Sequence, residues 1–147
     1  MEFHSPTLAD KEWVLKAFNE GQTDCCEYCF GNIFMWSQIY ENKICNDNSV
    51  FVSADFTDEP VFCYPIGNGD KKATINRLIK FAEKKGITLE FYGMTEKDKD
   101  ELNSLFPEKF EITETRDYFD YLYRTEDLAS LAGRKYHSKR NHISHFE

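Results

Sequence analysis

The strongest constraint on this chain is a change in the period of its apolar residues. Near the start, Trp13, Val14, Ala17 and Phe18 recur at three- and four-residue intervals, the spacing of one helix face. Thr7 precedes them as a candidate N-cap, with Asp10 three residues on, and Asn19-Glu20-Gly21 stops the run. Residues 25–40 place Cys26, Cys29, Phe30, Ile33, Phe34, Trp36 and Tyr40 at similar intervals, which predicts a second helix with its aromatic stripe in the core. From Lys43 the period falls to two. Residues 43–45 and 49–54 read as strands around a turn at Asn46-Asp47-Asn48. Residues 61–66 are apolar on both faces, as a central strand would be.

Helical spacing then returns over residues 71–85, with Ile75, Leu78, Ile79 and Ala82 on one face and Gly86 placed to cap the end. Residues 88–92 read as a strand. Thr95 starts a short helix that Pro107 ends. Residues 110–114 and 118–123 read as a last hairpin turning near Thr115-Arg116-Asp117, and Thr125 opens the closing helices. Strands joined first by turns and then by helices predict an α+β domain with one mixed sheet.

The ends of the chain differ in charge. Between Gly133 and Phe146 there are four Lys/Arg, no Asp or Glu, and three of the four histidines. The rest carries 14 Lys/Arg against 26 Asp/Glu, a formal balance of −12. A basic end on an acidic body fits contact with something anionic. It fits equally a solvated helix that complements the body. The acidic body itself is not expected to bind DNA or an anionic membrane. No apolar run approaches the roughly 18 residues that span a bilayer, and residues 1–13 lack the pattern of a signal peptide. With an odd count of five cysteines, a cytoplasmic protein is expected. The basic segment stops just as Ile143 and Phe146 appear, which fits a chain that continues beyond Glu147.

Three motifs carry candidate chemistry. Gly67, Asn68 and Gly69 lie between a strand and a helix N-terminus, where free N–H groups can hold a phosphate; Asp70 can cap the same donors internally. Cys25-Cys26-x-x-Cys29 lacks the second ligand pair of a zinc site, so these thiols are expected to be buried and inert on a helix face. His137, His142 and His145 are too interspersed with cations to favour a metal, and no metal site is expected. Lys135, His137, Lys139, Arg140 and Asn141 are instead candidates for anion binding. Tyr136, at helical spacing from Lys139 and Arg140, can stack a base. Tyr136, Ile143 and Phe146 can alternatively pack on another domain.

Four stretches carry a family resemblance: residues 27–36 (EYCFGNIFMW), 64–67 (YPIG), 117–123 (DYFDYLY) and 131–143 (LAGRKYHSKRNHI). The chain resembles the DUF2156 family, related to the C-terminal catalytic region of phosphatidylglycerol lysyltransferases. It is similar in element order to the GNAT acyltransferase fold. The resemblance implies a GNAT-like domain over residues 1–125 and a basic linker helix over 126–147, leading to a second GNAT-like domain of the same polypeptide. It implies the N-terminal half of an acyl- or aminoacyltransferase, with acyl-CoA or aminoacyl-tRNA as donor, tRNA as a partner, and an amine or hydroxyl acceptor. The alternative is a catalytically silent scaffold that docks a catalytic twin. The 67–70 loop departs from the glycine-rich, Arg/Gln-led loop of acetyltransferases, which weakens the CoA implication for this chain.

Overall fold

Thr7 and Asp10 open the first helix as a capping box. Thr7 N–H and Oγ1–H donate to Asp10 Oδ2 at 2.8 and 2.7 Å, and a short 3-10 turn leads into α1 (Lys11–Gly21). The computed structural model describes residues 1–23, 25–57 and 59–146. Two compact units are formed, Met1–Thr113 and Glu114–Glu147.

The first unit contains α1, α2 (Phe30–Trp36), β1 (Asn42–Asn46), β2 (Val50–Asp55), β3 (Val61–Cys63), β4 (Ile66–Gly67), α3 (Lys71–Lys85), β5 (Phe91–Tyr92) and α4 (Glu96–Leu105). The sheet order is β1-β2-β3-β5, with β4 also paired to β2. All pairs are antiparallel except β3–β5, which is parallel. This is the expected mixed, GNAT-like sheet. The β1–β2 turn closes with Asp47 and Val50 exchanging backbone bonds of 2.8 and 3.2 Å. Asn48 and Ser49 both take positive φ, the geometry of a two-residue hairpin loop.

Alternation along β2 divides the core. Val50, Val52 and Ala54 join Cys45, Phe62 and Leu78 on one face. Phe51 points the other way, against Val14, Phe18, Tyr28, Phe30, Ile44 and Ile66. Helices α1 and α2 thus cover one face and α3 the other, a three-layer arrangement. Tyr64, Ile75, Leu102 and Phe106 form a third cluster under α4. Helix α3 keeps the expected bounds: the Asp70 carboxylate accepts from Ala73 N–H at 2.9 Å, and Gly86 ends it at φ 68°.

The second unit contains 3-10 turns at Arg116–Tyr118 and Arg134–Tyr136, with α5 (Thr125–Ser130) and α6 (His137–Phe146). Among its described residues Tyr136 is the buried one.

Three expectations need correction. The second helix is Phe30–Trp36, not residues 25–40. Its start is displaced because Tyr28 N–H donates to the Cys25 carbonyl at 3.2 Å and Tyr28 is drawn into the core. Its aromatic stripe is only partly buried: Phe30 and Ile33 are inside, while Trp36 and Tyr40 are 47% and 46% exposed. The last hairpin is absent among the described residues. The residues at its expected turn coil into a 3-10 turn, and neither arm is paired as a strand. The aromatic, β-prone residues supplied propensity without a ladder to join. The 88–92 strand shrinks to Phe91–Tyr92.

Candidate functional site

Two loci contain the residues singled out in the sequence, one in each unit. In the first unit, β4 ends at Gly67 and runs through Asn68 and Gly69 to the start of α3. A Cβ on Gly67 would lie 2.2 Å from the Ser49 carbonyl oxygen, and one on Gly69 would lie 2.2 Å from that of Asn48. Gly67 also takes φ +140°. Both glycines are therefore required by close approach to the β1–β2 turn. The Asp70 carboxylate takes one of the α3 N-terminal donors.

Beside this loop lies an open cleft. Lys71, Lys72 and Lys97 line it together with Glu20, Asp70 and Glu101. With three cations against three carboxylates, it presents no net positive field. At its edge Lys71 Nζ is 2.7 Å from Glu101 Oε2, and the Tyr64 hydroxyl donates to the same oxygen at 3.0 Å. Lys71 Nζ also sits 5.3 Å from the Tyr64 ring centroid. Burial, and next the adjacent Glu101 charge, hold the Tyr64 hydroxyl well above the usual tyrosine range. Nothing in the sequence pairs residues 64, 71 and 101; the β3–β4 corner, the start of α3 and the middle of α4 meet only in the fold.

Behind the cleft the sheet splays. β3 pairs with β5 while β4 returns to β2, leaving Tyr64 and Pro65 at the corner. The Tyr28 hydroxyl donates to the Tyr64 carbonyl at 2.7 Å. Cys63 is buried, and burial pushes its thiol up to about 12 despite hydrogen bonds with Ser53 and Tyr92. It is a packing thiol, not a nucleophile.

In the second unit the predicted anion-binding residues are gathered at the start of α6. Asp127 is their hub. Its Oδ2 accepts from Lys135 Nζ at 3.1 Å and from the Tyr136 hydroxyl at 3.0 Å. The Lys135 hydrogen bond lowers the Asp127 pKa, and Asp127 raises that of Lys135. Arg140 Nη1 donates to the Leu131 carbonyl and, at 2.9 Å, to the Gly133 carbonyl. Lys139 Nζ lies 4.8 Å from the Tyr123 ring centroid. His137 Nε2 and Asn141 Nδ2 are 3.4 Å apart along one exposed face. Tyr136 is 4% exposed. With its ring buried and its hydroxyl on Asp127, it does not offer a face to a base, contrary to the stacking expectation. Ile143 and Phe146 are 48% and 93% exposed.

The cysteines also differ from expectation. Cys26 and Cys29 are exposed and Cys25 is half-buried; Cys45 and Cys63 are the buried pair. The short α2 explains this, because it leaves residues 25–29 in a surface turn. Among the described residues no group of three or more His, Cys, Asp or Glu is placed to hold a metal ion. No helix among them is long and apolar enough to cross a membrane.

A crystal structure of a conserved protein of unknown function from Bacteroides thetaiotaomicron VPI-5482 is similar over 99% of this chain, at 34% identity and a TM-score of 0.82. This chain spans 50% of the length of that one. No curated protein matches. The family model described as "Phosphatidylglycerol lysyltransferase, C-terminal" matches residues 18–147, and the chain belongs to that family.

Proposed function

We propose that this chain is the N-terminal half of an aminoacyltransferase that moves an aminoacyl group from tRNA to an amine or hydroxyl acceptor. The observation that carries this reading is the family match over residues 18–147. The basic segment is its donor-binding element: Lys135, His137, Lys139, Arg140 and Asn141 meet tRNA phosphates. His137 and Asn141 present an exposed polar face, and Lys135, held by Asp127, lies in the turn before it. Direct aminolysis of an ester demands a positioned amine, a proton acceptor and donors for the developing oxyanion. These belong to a second GNAT-like domain or to the space between the two. On this reading the protein works in the cytoplasm, where aminoacyl-tRNA is found. Acyl-CoA is the weaker donor. The Gly67, Asn68 and Gly69 loop that would hold its pyrophosphate already spends a helix donor on Asp70, and its cleft is charge-balanced.

A specific observation favours a second reading, a silent scaffold that docks a catalytic twin. Tyr118, Tyr121, Leu122 and Phe146 are 87%, 87%, 92% and 93% exposed, an apolar display suited to burial. Arg140 meanwhile spends part of its guanidinium on backbone carbonyls.

Binding of tRNA at several salt concentrations separates the two. Arg140 is left intact because it shapes the Leu131–Gly133 turn, and the comparison variant is Lys135→Gln with Lys139→Gln. Each neutralised phosphate contributes a slope of roughly 0.7–0.9 in log K against log salt. The transferase reading expects salt-dependent binding that weakens, with a shallower slope, in the variant. Binding that the variant keeps unchanged, or no binding, leaves the scaffold reading.

A further inference from the structure

The cysteine run at residues 25–29 is used by neither the cleft nor the basic segment, and the fold places it in the open. Tyr28 N–H donates to the Cys25 carbonyl at 3.2 Å, which turns the chain over Cys26 and Glu27. Asn32 Nδ2 donates to the Cys26 carbonyl at 3.4 Å, so Cys26 folds back over the first turn of α2. Cys29 is the residue that enters that turn, and Gly31 adds no side chain above it. The turn also sorts its thiols. Cys25 and Glu27 face Gly93, whose Cβ would lie 3.6 Å from Cys25 Sγ and 3.3 Å from Glu27 Cγ. Cys26 and Cys29 face solvent. Cys45 and Cys63 are 5% and 2% exposed, out of reach of a reagent in solution.

We propose that Cys26 and Cys29 are a reversible dithiol–disulfide couple, oxidised by a small-molecule disulfide of the glutathione type. One protein thiolate attacks a sulfur of the reagent, forms a mixed disulfide and releases one thiol. The second protein thiolate then attacks the mixed disulfide at the protein sulfur, closes the Cys26–Cys29 bond and releases the second thiol. The protein loses two electrons, the reagent's S–S bond is reduced, and the two thiol protons leave with the released thiols. Only two residues separate Cys26 from Cys29, and the Cys25–Tyr28 turn, with the Asn32 bond to the Cys26 carbonyl, already bends this segment back toward α2, so ring closure costs little extra order. Tyr28 lies within the ring. Because its hydroxyl holds the Tyr64 carbonyl at 2.7 Å, the disulfide braces the contact between this turn and the splayed corner of the sheet.

The test is intact-mass analysis of the folded chain equilibrated in buffers of graded reduced and oxidised glutathione. The expected product lacks two hydrogens, carries no glutathione, and maps its cross-link to residues 26–29. Cys29→Ser is expected to stop at a single glutathione adduct, while Cys25→Ser keeps the cross-link. Resistance of Cys45 and Cys63 to alkylation reports that each variant is folded. Separate adducts on Cys26 and Cys29, a cross-link that requires Cys25, or no reaction at either residue overturns the proposal.

Discussion

The two units are held together by different physics. Residues 1–113 bury three apolar clusters around a mixed sheet, with Phe51, Phe62, Ile44, Ile75 and Leu78 fully enclosed. The described residues of the second unit bury one aromatic ring and otherwise rest on polar contacts: Lys135 and Tyr136 on Asp127, Arg140 on two carbonyls, and Lys139 over Tyr123. Buried area stabilises cooperatively, whereas exposed ion pairs contribute little each. The first unit therefore reads as a scaffold with a fixed shape. The second reads as a local arrangement that opens at low cost, the property expected of a segment that reorganises against a partner.

Five substitutions sharpen that contrast, beginning with the largest effect. Phe62→Ala is expected to cost about 3–5 kcal/mol through the cavity it leaves in the first unit. Tyr136→Ala should leave the main denaturant transition nearly unmoved. Urea unfolding followed by near-UV circular dichroism checks both, and equal losses would erase the distinction. Asp47 comes next. It accepts from Thr74 Oγ1 at 2.6 Å and from Arg77 Nε at 2.9 Å, and it pins the β1–β2 turn to α3. Asp47→Ala leaves a buried hydroxyl and a guanidinium without their acceptor, for a loss of about 2–3 kcal/mol in the same assay.

Asp10 sets a pH dependence. Burial alone would raise its carboxyl, but hydrogen bonds from Thr7, Trp13 and His4 outweigh burial and hold it well below the usual range. A carboxyl that titrates lower folded than unfolded stabilises the protein above the unfolded value of 3.8. That contribution is lost as pH falls further. Asp10→Asn is expected to flatten the stability curve between about pH 5 and pH 2; an unchanged acid limb would contradict the assignment. The last effect is local to the second unit. Arg140→Met should raise amide exchange across residues 131–136 by releasing two carbonyls. The local opening energy should fall by about 1–2 kcal/mol, with no change in the first unit.

Much of the first unit was legible in the sequence because its signals are local. Thr7 with Asp10, and Asp70 before a 3.6-period run, each specify a helix start from a few neighbouring residues. Gly86 marks an end in the same way. The change of period at Lys43 located the sheet. The failures are those where distant packing decides. Residues 25–29 match a helix by spacing, but burial of Tyr28 against the Tyr64 carbonyl turns them into a surface loop and exposes two cysteines. Residues 118–123 look like a strand, but a strand needs a neighbour, and composition does not supply one. The candidate site divides the same way. The basic segment was visible as charge, but the Asp127 hub that engages Lys135 and Tyr136 and the carbonyls that engage Arg140 were not. The Tyr64–Lys71–Glu101 cluster had no sequence signal.

The most direct test of the central claim is hydrogen–deuterium exchange of the isolated chain with and without tRNA. If the basic segment is the donor-binding element, residues 134–145 exchange quickly alone and become protected when tRNA is added, while residues 1–113 exchange slowly and do not change. Protection that appears instead around residues 67–72, or that appears nowhere, would contradict it.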